Sequence, residues 1–257
     1  MTPLLLAAAL LAQAPKPECI TVTGGRVCGY QCKTANGING KCAESPNGIC
    51  IQNVGTILCF DPPPWLQVAY GGAAPAPKCL TDGSAAACGY NCKNAAGVVA
   101  CAQTPAGACA AGPNNKVVCA DPPPEVYGVF GNKTPPMACK EHLQTVTCGY
   151  GCVLSGGVVG CTKTPFGICD TRENVPVCFD PDKYVICAGG AQTKKPTCTQ
   201  HAGKLACGYA CATVGSAIAC AKTPQGTCDS QGSSEPVCFD PPVRGGSSNC
   251  LKVIGAE

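Results

Sequence analysis

Six cysteines recur on one fixed ruler along most of this chain, and a polypeptide marked in that way is an array of small, covalently stapled units. The first set is Cys19, Cys28, Cys32, Cys42, Cys50 and Cys59. It returns as Cys79, Cys88, Cys92, Cys101, Cys109 and Cys119, then as Cys139, Cys148, Cys152, Cys161, Cys169 and Cys178. The last set is Cys198, Cys207, Cys211, Cys220, Cys228 and Cys238; Cys187 and Cys250 bring the total to an even 26. The leading cysteines of successive sets stand sixty, sixty and fifty-nine residues apart.

A unit of about 45 ordered residues cannot bury enough apolar surface to offset its ordering entropy, and large side chains are scarce here. Aromatics are 5% of the chain, whereas Gly (32) and Pro (24) are abundant. Covalent bridges fill the gap. Each one closing a loop of roughly ten residues contributes on the order of 2–3 kcal/mol by restricting the unfolded state.

Bridges require an oxidising compartment. The apolar run Leu4 to Leu11, followed by Ala12-Gln13-Ala14, has the form of a signal peptide with its cleavage site, so residues 1–14 are expected to direct export. That run is too short to span a bilayer, and no later stretch is long enough. The expected location is outside the cytoplasm, secreted or in the cell envelope. A net charge of +3 with scattered lysines lacks the basic stripe and stacking aromatics that nucleic acid needs.

Within a set the motif runs Cys28-Gly29-Tyr30-Gln31-Cys32, then Cys42, then Ser45-Pro46-Asn47-Gly48-Ile49-Cys50, then Cys59-Phe60-Asp61-Pro62. These pieces are short strands joined by tight turns. In an extended segment Cys28, Tyr30 and Cys32 share one face. Ser-Pro-x-Gly or Thr-Pro-x-Gly matches a type I turn. No segment has a helical period, so no helix is expected. The fold class is all-β and disulfide-rich, a tandem array of β-hairpin modules at 15–63, 75–124, 135–182 and 194–243, with a tail at 244–257. Turn positions favour pairing first to second, third to fourth and fifth to sixth; cross-strand geometry equally allows bridges between hairpins. Cys187 and Cys250 pair most simply with each other.

The linkers open on proline-rich stretches that favour extended geometry. Each then carries apolar residues, among them Trp65, Tyr70, Tyr127 and Phe130, which are expected to dock on a neighbouring module and make the array semi-rigid.

Several chemistries fit poorly. The recurring Asp of Asp-Pro (Asp61, Asp121, Asp180, Asp240) lacks the oxygen-rich surroundings that calcium needs, and reads as a turn residue bonding nearby backbone. The Cys-x3-Cys step without a paired histidine does not suit structural zinc, and no cofactor is implied. His142 and His201 have no recurring nucleophile or orienting partner, so the chain reads as non-catalytic. The residues that remain for binding an external protein or polysaccharide are Trp65, Tyr70, Tyr127, Phe130 and Phe166. A multi-headed protease inhibitor is the alternative. It would use the loops before the fifth cysteine, whose variable positions are Asn47, Ala106, Phe166 and Gln225.

Cys-Gly-Tyr-x-Cys, Thr-Pro-x-Gly-x-Cys and Cys-Phe-Asp-Pro resemble the signatures of exported bacterial proteins built from six-cysteine tandem repeats. The resemblance covers about four-fifths of the chain; it implies secretion and repetition and transfers no functional residues. The spacing lacks the adjacent cysteines of knottins and the close triplets of epidermal-growth-factor modules.

Overall fold

The computed structural model describes residues 15–143, 145–231 and 234–255, so the expected signal peptide lies outside the described residues. The chain divides between Asp61 and Pro62 into two compact units. It is mostly strand, in small antiparallel sheets, with 13 disulfides.

The first unit is one module. Strands β1 (Glu18–Val22), β2 (Gly25–Ala35) and β3 (Asn39–Ala43) form a three-stranded sheet, and β4 (Ile49–Asn53) pairs with β5 (Thr56–Phe60). Its small core joins Ala35, Ala43, Cys50 and Ile57, with Tyr30 and Cys59 against them.

The second unit begins with helix α1 (Pro64–Ala69). Module 2 follows with β6 (Lys78–Asp82), β7 (Ala85–Ala95), β8 (Val98–Ala102), β9 (Ala108–Ala111) and β10 (Val117–Ala120), then α2 (Pro124–Phe130). Module 3 contains β11 (Ala138–His142), β12 (Thr145–Ser155), β13 (Val158–Thr162), β14 (Ile168–Arg172) and β15 (Val175–Phe179), then α3 (Lys183–Gly189). Module 4 is built of β16 (Thr197–His201), β17 (Lys204–Val214), β18 (Ala217–Ala221), β19 (Thr227–Asp229) and β20 (Val237–Phe239), and α4 (Ser248–Val253) follows it.

Every module repeats the same pairing. Cys19 lies directly opposite Cys28, Cys50 opposite Cys59, and the same holds for their counterparts. Their Cα atoms are 3.9–4.1 Å apart, as in a closely spaced antiparallel pair. The bridges are therefore sequential: Cys19–Cys28, Cys32–Cys42 and Cys50–Cys59 in module 1, and likewise onward. Among the described residues no cysteine is free.

Strict alternation along β2 does not hold. Register shifts between Tyr30 and Lys33, because Gln31 adopts the left-handed conformation (φ 46°) and forms a bulge. Asn91, Gly151 and Ala210 do the same at 47°, 51° and 42°. The expectation that Cys28, Tyr30 and Cys32 share a face fails at this extra residue. The tyrosine still turns inward: Tyr90 and Tyr209 are buried. Its hydroxyl donates to a linker carbonyl fifteen residues back, Tyr90 to Pro75 (2.9 Å), Tyr150 to Pro135 (2.7 Å) and Tyr209 to Lys194 (2.8 Å). Burial pushes the phenols of Tyr90 and Tyr209 up to about 12, which keeps them donors.

The Asp-Pro aspartate does more than form its own turn. Asp61 accepts from the Ser45 amide (2.8 Å), the Ser45 hydroxyl (2.8 Å) and the Glu44 amide (3.0 Å). Asp121, Asp180 and Asp240 hold Gln103 and Thr104, Lys163 and Thr164, and Lys222 and Thr223 in the same way. These partners lie 16 to 18 residues away, so the carboxylate clamps the three-stranded sheet's exit to the end of the two-stranded hairpin. The turn itself is closed, with the Gly48 amide donating to the Ser45 carbonyl at 3.0 Å. Glycine is required there by crowding: a Cβ on Gly48 would lie 2.5 Å from Ala43 Cβ and overlap Asp61 Oδ1.

Two tests follow. Gly48→Ala should lower stability by about 1–3 kcal/mol through overpacking. Gly24→Ala, which meets open space, should change it by no more than about 0.5 kcal/mol. Equal thermal shifts for the two would refute the crowding argument. The second test concerns acid. Burial alone would raise the Asp240 carboxyl, but the Lys222 and Thr223 amides, the Thr223 hydroxyl and the Lys222 charge outweigh it and hold it below its ordinary 3.8. Its stabilisation is complete above that value and is lost as pH falls through the lowered one. The gap in stability between the parent and Asp240→Asn should therefore be constant at neutral pH and close below 3.8 in acid melts.

Candidate functional site

The linkers, expected to be extended, fold into helices. A helix of six or seven residues is too short to display a readable period, and too short to persist alone. Local chemistry starts and stops them. Pro64 and Pro124 occupy first positions, where a missing N–H costs nothing. Asp182 accepts from the Tyr184 amide and Ser247 from the Cys250 amide as N-caps. Gly131 and Gly190 end α2 and α3 at φ 54° and 55°.

Packing does the rest. Helix α4 lies against both α1 and α2, and α3 against α2. Leu66, Val126, Tyr127, Ile186, Cys187 and Cys250 are fully buried between them. The residues expected to be a tail thus supply the fourth linker helix, locked to α3 by the Cys187–Cys250 bridge. Gly128 makes the close approach of α2 and α4 possible, since a Cβ there would sit 2.8 Å from Cys250 Cα. The second unit therefore has an apolar hub as well as sulfur staples.

The aromatic candidates sort themselves around this hub. Tyr127 is at its centre, with Trp65 at 5.3 Å and Tyr70 at 6.2 Å between ring centroids. Its hydroxyl accepts from the Ala106 amide at 2.9 Å, and burial raises its pKa. Phe130 stacks on Phe166 at 5.5 Å. Tyr127 (0% exposed) and Phe166 (4%) are buried in the core. The loops before the fifth cysteine pack inward in modules 2 and 3. Ala106 and Phe166 face the hub, and the Ala106 carbonyl accepts from the Met137 amide, so neither loop projects toward a protease.

Trp65 remains half-buried at the rim of an open groove of about 550 Å³. Pro64, Pro124, Glu125, Lys183, Lys252 and Val253 line it with Trp65. Burial pushes the Glu125 carboxyl up, while its own amide and the Lys183 charge pull it partly back. Lys183 Nζ lies 5.2 Å from the Tyr184 ring centroid. An aromatic platform flanked by a carboxyl and two ammonium groups can stack on one face of a ligand and hydrogen-bond its edge. Glu125, Lys183 and Lys252 escaped the sequence reading, because nothing short of the helices brings them together. Among the described residues no group of three or more His, Cys, Asp or Glu is placed to hold a metal. His201 Nε2 bonds the Gly215 carbonyl at a hairpin end. No helix among the described residues is long and apolar enough to cross a membrane.

Comparison with protein-family models, with curated proteins and with solved structures finds no match.

The hub's bridge can be tested directly. Removing it with Cys187→Ala and Cys250→Ala together should cost about 4 kcal/mol, from the long loop it closes. Limited proteolysis should then cut near 244–247 in the variant while the hairpin modules stay resistant. Equal resistance of parent and variant would refute it.

Proposed function

We propose that this chain is a non-catalytic binding protein of the extracytoplasmic space, secreted or held at the cell envelope, which presents the Trp65 groove to an external polysaccharide. The half-buried Trp65 ring, braced by Tyr127 beside Glu125, Lys183 and Lys252, is the observation that carries the reading. A tryptophan face suits the C–H face of a sugar ring, and the charged groups suit its hydroxyls. Bracing matters because a rigid aromatic loses little side-chain entropy on contact. Thirteen bridges support an oxidising location, and they keep such a surface in shape outside the cell. The cysteine signature agrees with the exported six-cysteine repeat proteins.

Trp65 is the sole tryptophan, so its fluorescence reports on the groove alone. Titration with soluble polysaccharides, neutral and acidic, should shift that emission saturably for at least one. Trp65→Ala should weaken binding of the same glycan by about 2 kcal/mol, measured by calorimetry. Undiminished binding by Trp65→Ala would remove the groove from the function.

A further inference from the structure

Inside the second unit, each junction between consecutive modules sets the second hairpin of one module on the first hairpin of the next. At the junction of modules 2 and 3 the Val118 carbonyl lies 3.7 Å from Cys148 Sγ, and a Cβ on Gly112 would lie 3.2 Å from Val146. At the junction of modules 3 and 4 the Val177 carbonyl lies 3.9 Å from Cys207 Sγ, and Phe179 meets Tyr209 edge-on at 6.0 Å. The donor side of these junctions is the pair of residues flanking the sixth cysteine. Val118, Ala120, Val177 and Phe179 are all partly buried there.

Module 4 carries the donor side again. Val237 and Phe239 flank Cys238 as Val177 and Phe179 flank Cys178. They are 64% and 67% exposed, an apolar strand face that the described residues leave largely open. Module 1 carries the matching acceptor side. Cys28 and Tyr30 stand where Cys207 and Tyr209 stand in module 4, yet Cys28 is exposed and Cys207 is partly buried.

The module 1 face also differs from the internal ones in charge. Arg26, exposed, takes the place of Val146 and Leu205, two residues before the second cysteine. Opposite Val146 lies Gly112.

We propose that the Val237–Phe239 face of one copy docks on the Arg26–Cys28–Tyr30 face of a second copy, repeating the internal module junction between molecules. The contact joins two different patches, so it is heterologous and extends head to tail instead of stopping at a symmetric pair. The outward aliphatic strand then continues the array. Arg26 stands where Val146 and Leu205 stand in the internal junctions, and its aliphatic stem can cover the same apolar surface with the charged head in water.

Sedimentation of the purified, disulfide-intact chain over a wide concentration range tests this. The expected result is a mass that climbs past the dimer as concentration rises. Phe239→Glu and Arg26→Glu should each weaken association about tenfold or more, with melting temperatures unchanged because both positions are exposed. An equimolar mixture of Phe239→Glu and Arg26→Glu, each retaining one intact face, should form a dimer and go no further. A parent chain that stays monomeric, association indifferent to Phe239→Glu, or a mixture that fails to dimerise would each overturn the proposal.

Discussion

The carboxylates of Asp61, Asp121, Asp180 and Asp240 hold each module together at the one place where sulfur does not. The three bridges of a module each staple a single hairpin or strand pair, and none crosses from the three-stranded sheet to the two-stranded one. That crossing is made by an ionised aspartate receiving two amides and a hydroxyl, bonds stronger than neutral ones. Glycine at the turn, and a small residue such as Ala43 or Ala102 beneath it, let the carboxylate come close enough. Cross-links stiffen the parts; a polar clamp assembles them.

A second level of organisation sits above the module. Short helices that no isolated peptide would keep are stabilised by burying Leu66, Val126, Tyr127 and Ile186 against one another. The tyrosine of each Cys-Gly-Tyr step in modules 2 to 4 ties the preceding linker's end to its own module. Modules 2, 3 and 4 are consequently branches of one hub, whereas module 1 has its core within its own hairpins. The groove beside Trp65 exists only because α1, α2, α3 and α4 meet, so any binding there is a property of the hub and belongs to no single repeat.

How much of this was legible depended on range. The cysteine ruler, the all-β class and the Thr-Pro-x-Gly turn are written in neighbouring residues, and each could be read from spacing alone. The aspartate's partners, 16 to 18 residues upstream, could not, although the Ser or Thr that answers it recurs in all four copies. The helices were missed because six residues hold fewer than two turns, and proline before Trp65 and Glu125 looked like extended chain when it marks a first helical turn. The bulge at Gln31 was hidden because glutamine, asparagine, glycine and alanine share its place. Tyr127 was expected to dock on a neighbouring module and is buried, whereas the burial of Phe166 on Phe130 joins residues 36 positions apart and no local spacing announces it.

The Cys187–Cys250 bridge differs from the other twelve in a way that bears on how the chain matures. Twelve close between residues nine or ten apart, so each can oxidise almost as soon as its hairpin is made. Cys187 must wait for a partner sixty-three residues later, and in that interval all six cysteines of module 4 emerge beside it. Rapid local hairpin closure removes those six competitors one pair after another. The lone thiol in α3 is thereby reserved for α4, and the hub is sealed only after module 4 has been made.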